Sequence, residues 1–347
     1  MTEVATAAKA APPTKSHRTL LWLGLAGLIV LLVVSGLVSL AVGNLTIPIS
    51  TVSDSLQGTA NTREEIIIQT LRVPRTVIAM SAGAAFATSG AIIQALTRNP
   101  LGDPGILGVA AGASLAVLIA VQTLSIVEPS GYMWFAFGGA AVAGVVVYFL
   151  GSVGRGGASP VKLAIAGAAL ASALGAVSTI MLSLDQQSLD QLRFWLVGSV
   201  AGRPISVFWW TLPFVIAGIL VACLLGGPLN LLALGDEVAV SLGMKVGLIR
   251  AAAGLVAITL AGAGVAMAGP IAFAGLAVPH VARHIVGPDW RWIVPYSAVM
   301  GGILLLIADV VGRIIVRPNE LQVGVVVALV GAPFFIALVR RGRLIEL

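Results

Sequence analysis

Reactive side chains are scarce in this chain, and the few present fall into two groups. The histidines are His17, His280 and His284, and Cys223 is the one cysteine. There is no HExxH, and three scattered imidazoles make no metal cluster, so nothing supports membrane-embedded hydrolysis or a resident metal. A single thiol inside an apolar run closes no intrachain disulfide and is expected to be a small core residue. No GxxxxGK[ST] occurs, so the chain does not hydrolyse ATP through a P-loop. The first remaining group is Gly235-Asp236-Glu237-Val238-Ala239, followed by Leu242 and Gly243. Asp236 is suited to cap a helix, and Glu237 adds negative charge where the helix dipole favours it. Val238 and Leu242 lie one turn apart, and Gly243 can supply the left-handed residue that stops the helix. The second group is Arg72, Arg75 and Arg313, with Asp309 one turn before Arg313 and expected to pair with it.

The elements that must position these groups are apolar. Of 347 residues 58% are hydrophobic and 10% charged, where soluble domains carry about a quarter charged residues, so the chain is an integral membrane protein. The net charge of +6 therefore bears on topology rather than on nucleic acid. Forty-one glycines fit membrane helices that pack backbone to backbone. Residues 1–18 form a polar tail. Leu20–Val42 is too long an apolar run for a cleaved signal peptide and is expected to be a retained first span.

The other expected spans are Val77–Leu96, Ile106–Thr123, Tyr132–Leu150, Leu163–Leu182, Ser206–Leu225, Leu248–Ala268, Gly269–Val286, Pro295–Ile315 and Val323–Val339. Residues 44–70 are a polar outer segment and 184–204 a partial surface helix, and Trp195, Trp209 and Trp210 are expected at headgroup level. The segment Leu229–Arg250 reads as two short helices with an elbow at Gly235. It is too short to span, and suits either a docking knob or a plain interfacial loop. Ten spans place both termini on one side. With the tail inside, the inner side carries +7 and the outer −1, which predicts cytoplasmic termini.

Gly83-Ala84-x-x-Ala87-x-x-Gly90 is echoed by Gly262-Ala263-x-x-Ala266-x-x-Gly269 in an oppositely directed span, the mark an inverted repeat would leave. Gln94, Asn99 and Asp103 are expected to satisfy backbone freed at the TRNPLGDPG break, residues 97–105. Charged residues deep in the spans are nearly absent, which argues against an ion-coupled carrier.

Six stretches carry a resemblance: LRVPR at 71–75, SGAIIQALTRNPLGDPGILG at 89–108, GDEVAVSLG at 235–243, GPIAFAGLAVPHVAR at 269–283, ADVVGR at 308–313 and ELQVGVVVALVGAPFF at 320–335. In order and spacing they resemble the FecCD-type permeases of iron–siderophore and cobalamin ABC importers. Gly102 and Gln322 depart from the residues usual there.

The resemblance implies an all-α, ten-span permease of the type II importer fold, covering residues 19–347 behind the tail. It implies a second permease subunit, identical or paralogous, two ATPase subunits inside that carry ATP and Mg, and a binding protein outside. No cofactor is expected in this chain. It makes 229–245 the coupling helices, with Gly235, Asp236, Glu237, Val238, Ala239, Leu242 and Gly243 at the ATPase. It makes Arg72, Arg75 and Arg313 receivers for carboxylates of the binding protein, against the alternative of snorkelling to headgroups. It puts Ala158 and Ser159 at a cytoplasmic gate. The expected activity is ATP-driven alternating access for a ferric siderophore. The same architecture carrying haem or cobalamin, or an ATP-independent channel or secondary carrier, is the alternative.

Overall fold

The computed structural model describes residues 15–58, 62–153, 160–185 and 192–340. The described residues are helices and connections. In order these are α1 (Lys15–Ala41), α2 (Ile49–Gln57), α3 (Arg63–Ile67), a π-helical turn (Ile68–Arg72), α4 (Val73–Thr97), a 3-10 turn (Pro104–Leu107), α5 (Val109–Leu124), α6 (Pro129–Ser152) and α7 (Pro160–Leu184). They continue with α8 (residues 192–196), α9 (Ile205–Ala233), α10 (Asp236–Ser241), α11 (Val246–Ala268), α12 (Ala274–Val286), α13 (Trp290–Ile315) and α14 (Val323–Arg340). Seven helical segments are long and apolar enough to cross a bilayer. With the shorter apolar helices α5 and α14 and the 13-residue α12 they account for the ten expected passes.

α4 is the hub. Of its most apolar stretch 83% is buried, against 11% for α7 at the rim. The reason is its small residues. An added Cβ at Gly83 would overlap the Gly301 carbonyl of α13, and one at Gly90 the Gly275 carbonyl of α12. Gly301 reciprocates against Gly83, so the two backbones touch, as small-residue faces allow. The wider packing repeats with inverted partners. α4 lies on α13 as α11 lies on α6, α5 pairs with α6 as α12 with α13, and α5 meets α7 as α12 meets α14. This is the packing expected of the two halves of an inverted repeat.

Several expected boundaries move. The second span begins at Arg63 rather than Val77, because Thr62 and Glu65 form a capping box and the helix continues through the π turn. The eighth span begins at Ala274, since residues 269–273 are not helical. Trp195 is buried and stacks edge-on against Tyr132 at 6.0 Å, while Trp209 and Trp210 are exposed as expected.

The 97–108 break does not stay at the end of α4. Pro104 and Asp103 pack against Gly275, which also faces Phe86 of α4. Phe86 lies eleven residues before the end of α4, roughly 16 Å up the helix at 1.5 Å per residue. The chain therefore folds back into the bundle before α5 starts, and α12 starts at a comparable depth. Non-helical backbone at that depth must be satisfied within the protein. Gln94 donates to the Gly275 and Leu276 carbonyls, Leu101 N–H donates to Asn99 Oδ1, and Gly105 N–H donates to Asp103 Oδ1. Asn99 and Asp103 thus serve the break as their position suggests, whereas the Gln94 side chain serves the first turn of α12 instead.

Candidate functional site

Two ends of the molecule carry the polar groups. At one end, the last carbonyls of α1 have no partners within their own helix. Arg72 supplies them, donating to Leu40 O at 2.7 Å, to Ala41 O at 2.9 Å and to Leu45 O. Arg313, near the end of α13, donates to Ser39 O at 2.9 Å, to Val42 O at 3.0 Å and to Ser39 Oγ at 2.7 Å. Gly43 lets the chain pass between them, as an added Cβ would lie 3.3 Å from Arg72 and 3.5 Å from Arg313. Both arginines are buried, at 6% and 3% exposure.

Arg75 is the third member. It forks onto Asp309 with its Nε at 2.9 and 3.0 Å, and donates to Glu320 at 2.7 Å. Asp309 is 1% exposed and also pairs with Arg313 at 3.0 Å, as its spacing predicts. Glu320 in turn accepts from Asn44 at 3.1 Å. The three guanidiniums line a cavity of about 300 Å³ together with Asn44 and Glu320, and Asp309 lies behind it. Arg72, Arg75 and Arg313 do converge, as expected. Arg72 and Arg313 are fastened inside the protein and are not free prongs, and they do not snorkel. Arg75 and the one-third-exposed Glu320 form the accessible part. The sequence reading missed Glu320, which stands just before the tenth span; its distance of 245 positions from Arg75 hid the pair.

At the other end, the segment 229–245 is one short helix, not two. Leu229–Ala233 is the last part of α9, which runs unbroken past Pro213 and Pro228. α10 follows after Gly235, whose φ of 112° and ψ of 151° suit glycine. Gly235, not Asp236, is the N-cap, and no side chain caps the helix. The Asp236 carboxylate is diverted to two cations, Arg98 and, at 3.0 Å, Arg250. Glu237 stands in the first turn, and Gly243 has the expected left-handed φ of 82°. Ala239 is buried against the body, which leaves Val238, Val240 and Leu242 exposed. An apolar, acid-edged knob thus projects between α9 and α11. Ala158 and Ser159 lie outside the described residues.

His280 and Arg283 sit on the buried side of α12. Arg283 lies over the Trp290 ring at 4.8 Å, and His280 stacks with His284 at 4.6 Å. Among the described residues there is no group of three His, Cys, Asp or Glu placed to hold a metal.

Known proteins share the family and the fold. Residues 31–341 match the FecCD transport family. The ferric enterobactin transport system permease protein FepD of Escherichia coli K12 is 44% identical over 317 residues, 91% of this chain and 94% of that protein. The Fe(3+)-citrate import system permease protein YfmD of Bacillus subtilis 168 is 43% identical over 281 residues, 81% of this chain and 83% of that protein. A solved metal-chelate type ABC transporter in an inward-facing conformation superposes with a TM-score of 0.77 at 26% identity, covering 91% of this chain and 98% of that one.

Proposed function

This chain belongs to the FecCD transport family, and from that premise we propose that it carries ferric siderophores across the bacterial cytoplasmic membrane with both termini inside. It is a multi-pass ABC transport permease and not an enzyme. ATP and Mg bind and react on two separate ATPase subunits seated on α10. A second permease copy, identical or paralogous, completes the pathway, and residues 158–159 close its inner end. The observation that carries the substrate reading is the 44% identity to a ferric enterobactin permease across nearly the whole chain.

The same reading has a binding protein present carboxylates to the outer cluster. Arg75 is the receiving group. It is the most exposed of the three arginines, and an incoming carboxylate can replace Glu320 as its partner. Arg75→Glu is expected to weaken capture of the loaded binding protein by about tenfold or more. Unchanged capture in nanodiscs would remove Arg75 from the interface.

The transport reading is tested in a strain lacking this gene. Uptake of radiolabelled iron as ferric enterobactin, a ferric hydroxamate and ferric citrate is measured with the gene restored. Restored, ATP-dependent uptake of at least one chelate is expected. Transport by the purified chain alone under an ion gradient would favour the carrier alternative instead.

A further inference from the structure

Arg98 is held in a left-handed conformation, with φ 48° and ψ 36°, at the end of α4. Such a conformation is uncommon outside glycine. Here it aims the side chain across to the neighbouring helices. Its Nε donates to Leu232 O at 2.8 Å, one of the last carbonyls of α9, and its outer nitrogen pairs with Asp236 at the start of α10. Arg250 of α11 holds the same carboxylate. One guanidinium therefore grips the helix before the knob and the knob itself.

The other end of the Arg98 backbone is equally fixed. The 98–108 segment is braced by its own turns: Gly102 N–H donates to Asn99 O at 3.0 Å and Gly108 N–H to Gly105 O at 3.0 Å. Asn99 and Asp103 each accept from the backbone two residues on. Gly102 is pressed on α4, where an added Cβ would lie 3.1 Å from the Gln94 backbone. The segment then reaches α7. Its 3-10 turn packs along that helix, and a Cβ at Gly108 would stand 3.7 Å from the Gly167 carbonyl. A braced, partly buried strut thus runs from α10 to a rim helix that is mostly exposed.

We propose that Arg98 is a positioning residue that passes movement of α10 through the 98–108 segment to α7. Partly exposed ion pairs contribute little to stability, so the value of this contact lies in where it holds α10 relative to the strut. The inference rests on the reading of α10 as the ATPase seat, and the experiment separates the two.

The test uses the purified permease–ATPase complex in nanodiscs, with Cys223→Ser and a single Ile180→Cys on the exposed face of α7. Reaction of that thiol with a maleimide is followed with and without ATP plus vanadate. Trapping is expected to change the rate about fivefold or more, and Arg98→Gly and Arg98→Gln are each expected to bring the change below about twofold. Glycine suits the local φ, so the first variant removes the guanidinium without opposing the backbone. A nucleotide response that survives both variants overturns the relay, as does an unaltered complex whose α7 ignores nucleotide. In parallel, Val238→Cys or Leu242→Cys is cross-linked to the ATPase. Cross-linking that persists while the α7 response is lost supports the relay. No cross-linking in the parent complex overturns the ATPase seat itself.

Discussion

At the scale of single residues, Asp309 is held from two sides. It is buried between Arg75 and Arg313, and each guanidinium has further acceptors that fix its direction. Asp309→Leu would leave two buried cations facing one another without their shared partner. A loss of roughly 3–5 kcal/mol is expected, read as a lowered denaturation midpoint in detergent. Asp309→Asn keeps an acceptor and is expected to cost less. The Asp309–Arg313 pair was legible in the sequence because both lie on one helix at a spacing of four. The Arg75–Glu320 pair was not, because only the folded bundle brings their helix ends together. The position of Asp236 was half legible. Its place at a helix start was evident, but two arginines from other elements compete for its carboxylate, and a cap needs that oxygen free.

At the scale of elements, close backbone contact sets the frame. The expected spans came from apolar runs, and those runs were long enough to be found in every case. Their ends were harder, because a helix boundary depends on capping and on what covers the freed backbone. The re-entrant 98–108 and 269–273 segments show this. Proline and glycine announced a break in the first, yet nothing in the order of residues said that the chain would turn back inward. The α4–α13 contact offers a direct test. Gly83→Val should force the two helices apart and cost about 1–3 kcal/mol or prevent folding, seen as loss of the monodisperse peak in fluorescence-detected gel filtration. Gly27→Ala on α1, with nothing within 4 Å of the added carbon, should leave the peak unchanged.

At the scale of the whole molecule, rigidity is graded from α4 outward. The hub is locked by carbonyl contacts, whereas α1 and α7 present mostly exposed apolar side chains. Alternating access needs such a division between a fixed axis and helices free to shift. The polar groups are divided between the two ends, with the arginine cluster at one and the knob of α10 at the other.

The short α12 has a further consequence, for how the protein is made. Its 13 residues carry His280 and Arg283, and the charged group is sheltered by Trp290, which belongs to the next helix. While the chain is being synthesised, α12 emerges before its shield exists, and a lone basic half-length helix partitions poorly into lipid. It should therefore wait at the membrane surface and enter together with α13 as a hairpin. Nascent chains arrested after residue 288 should leave α12 open to a water-soluble thiol reagent at an engineered Ala282→Cys. Chains extended beyond residue 340 should protect it.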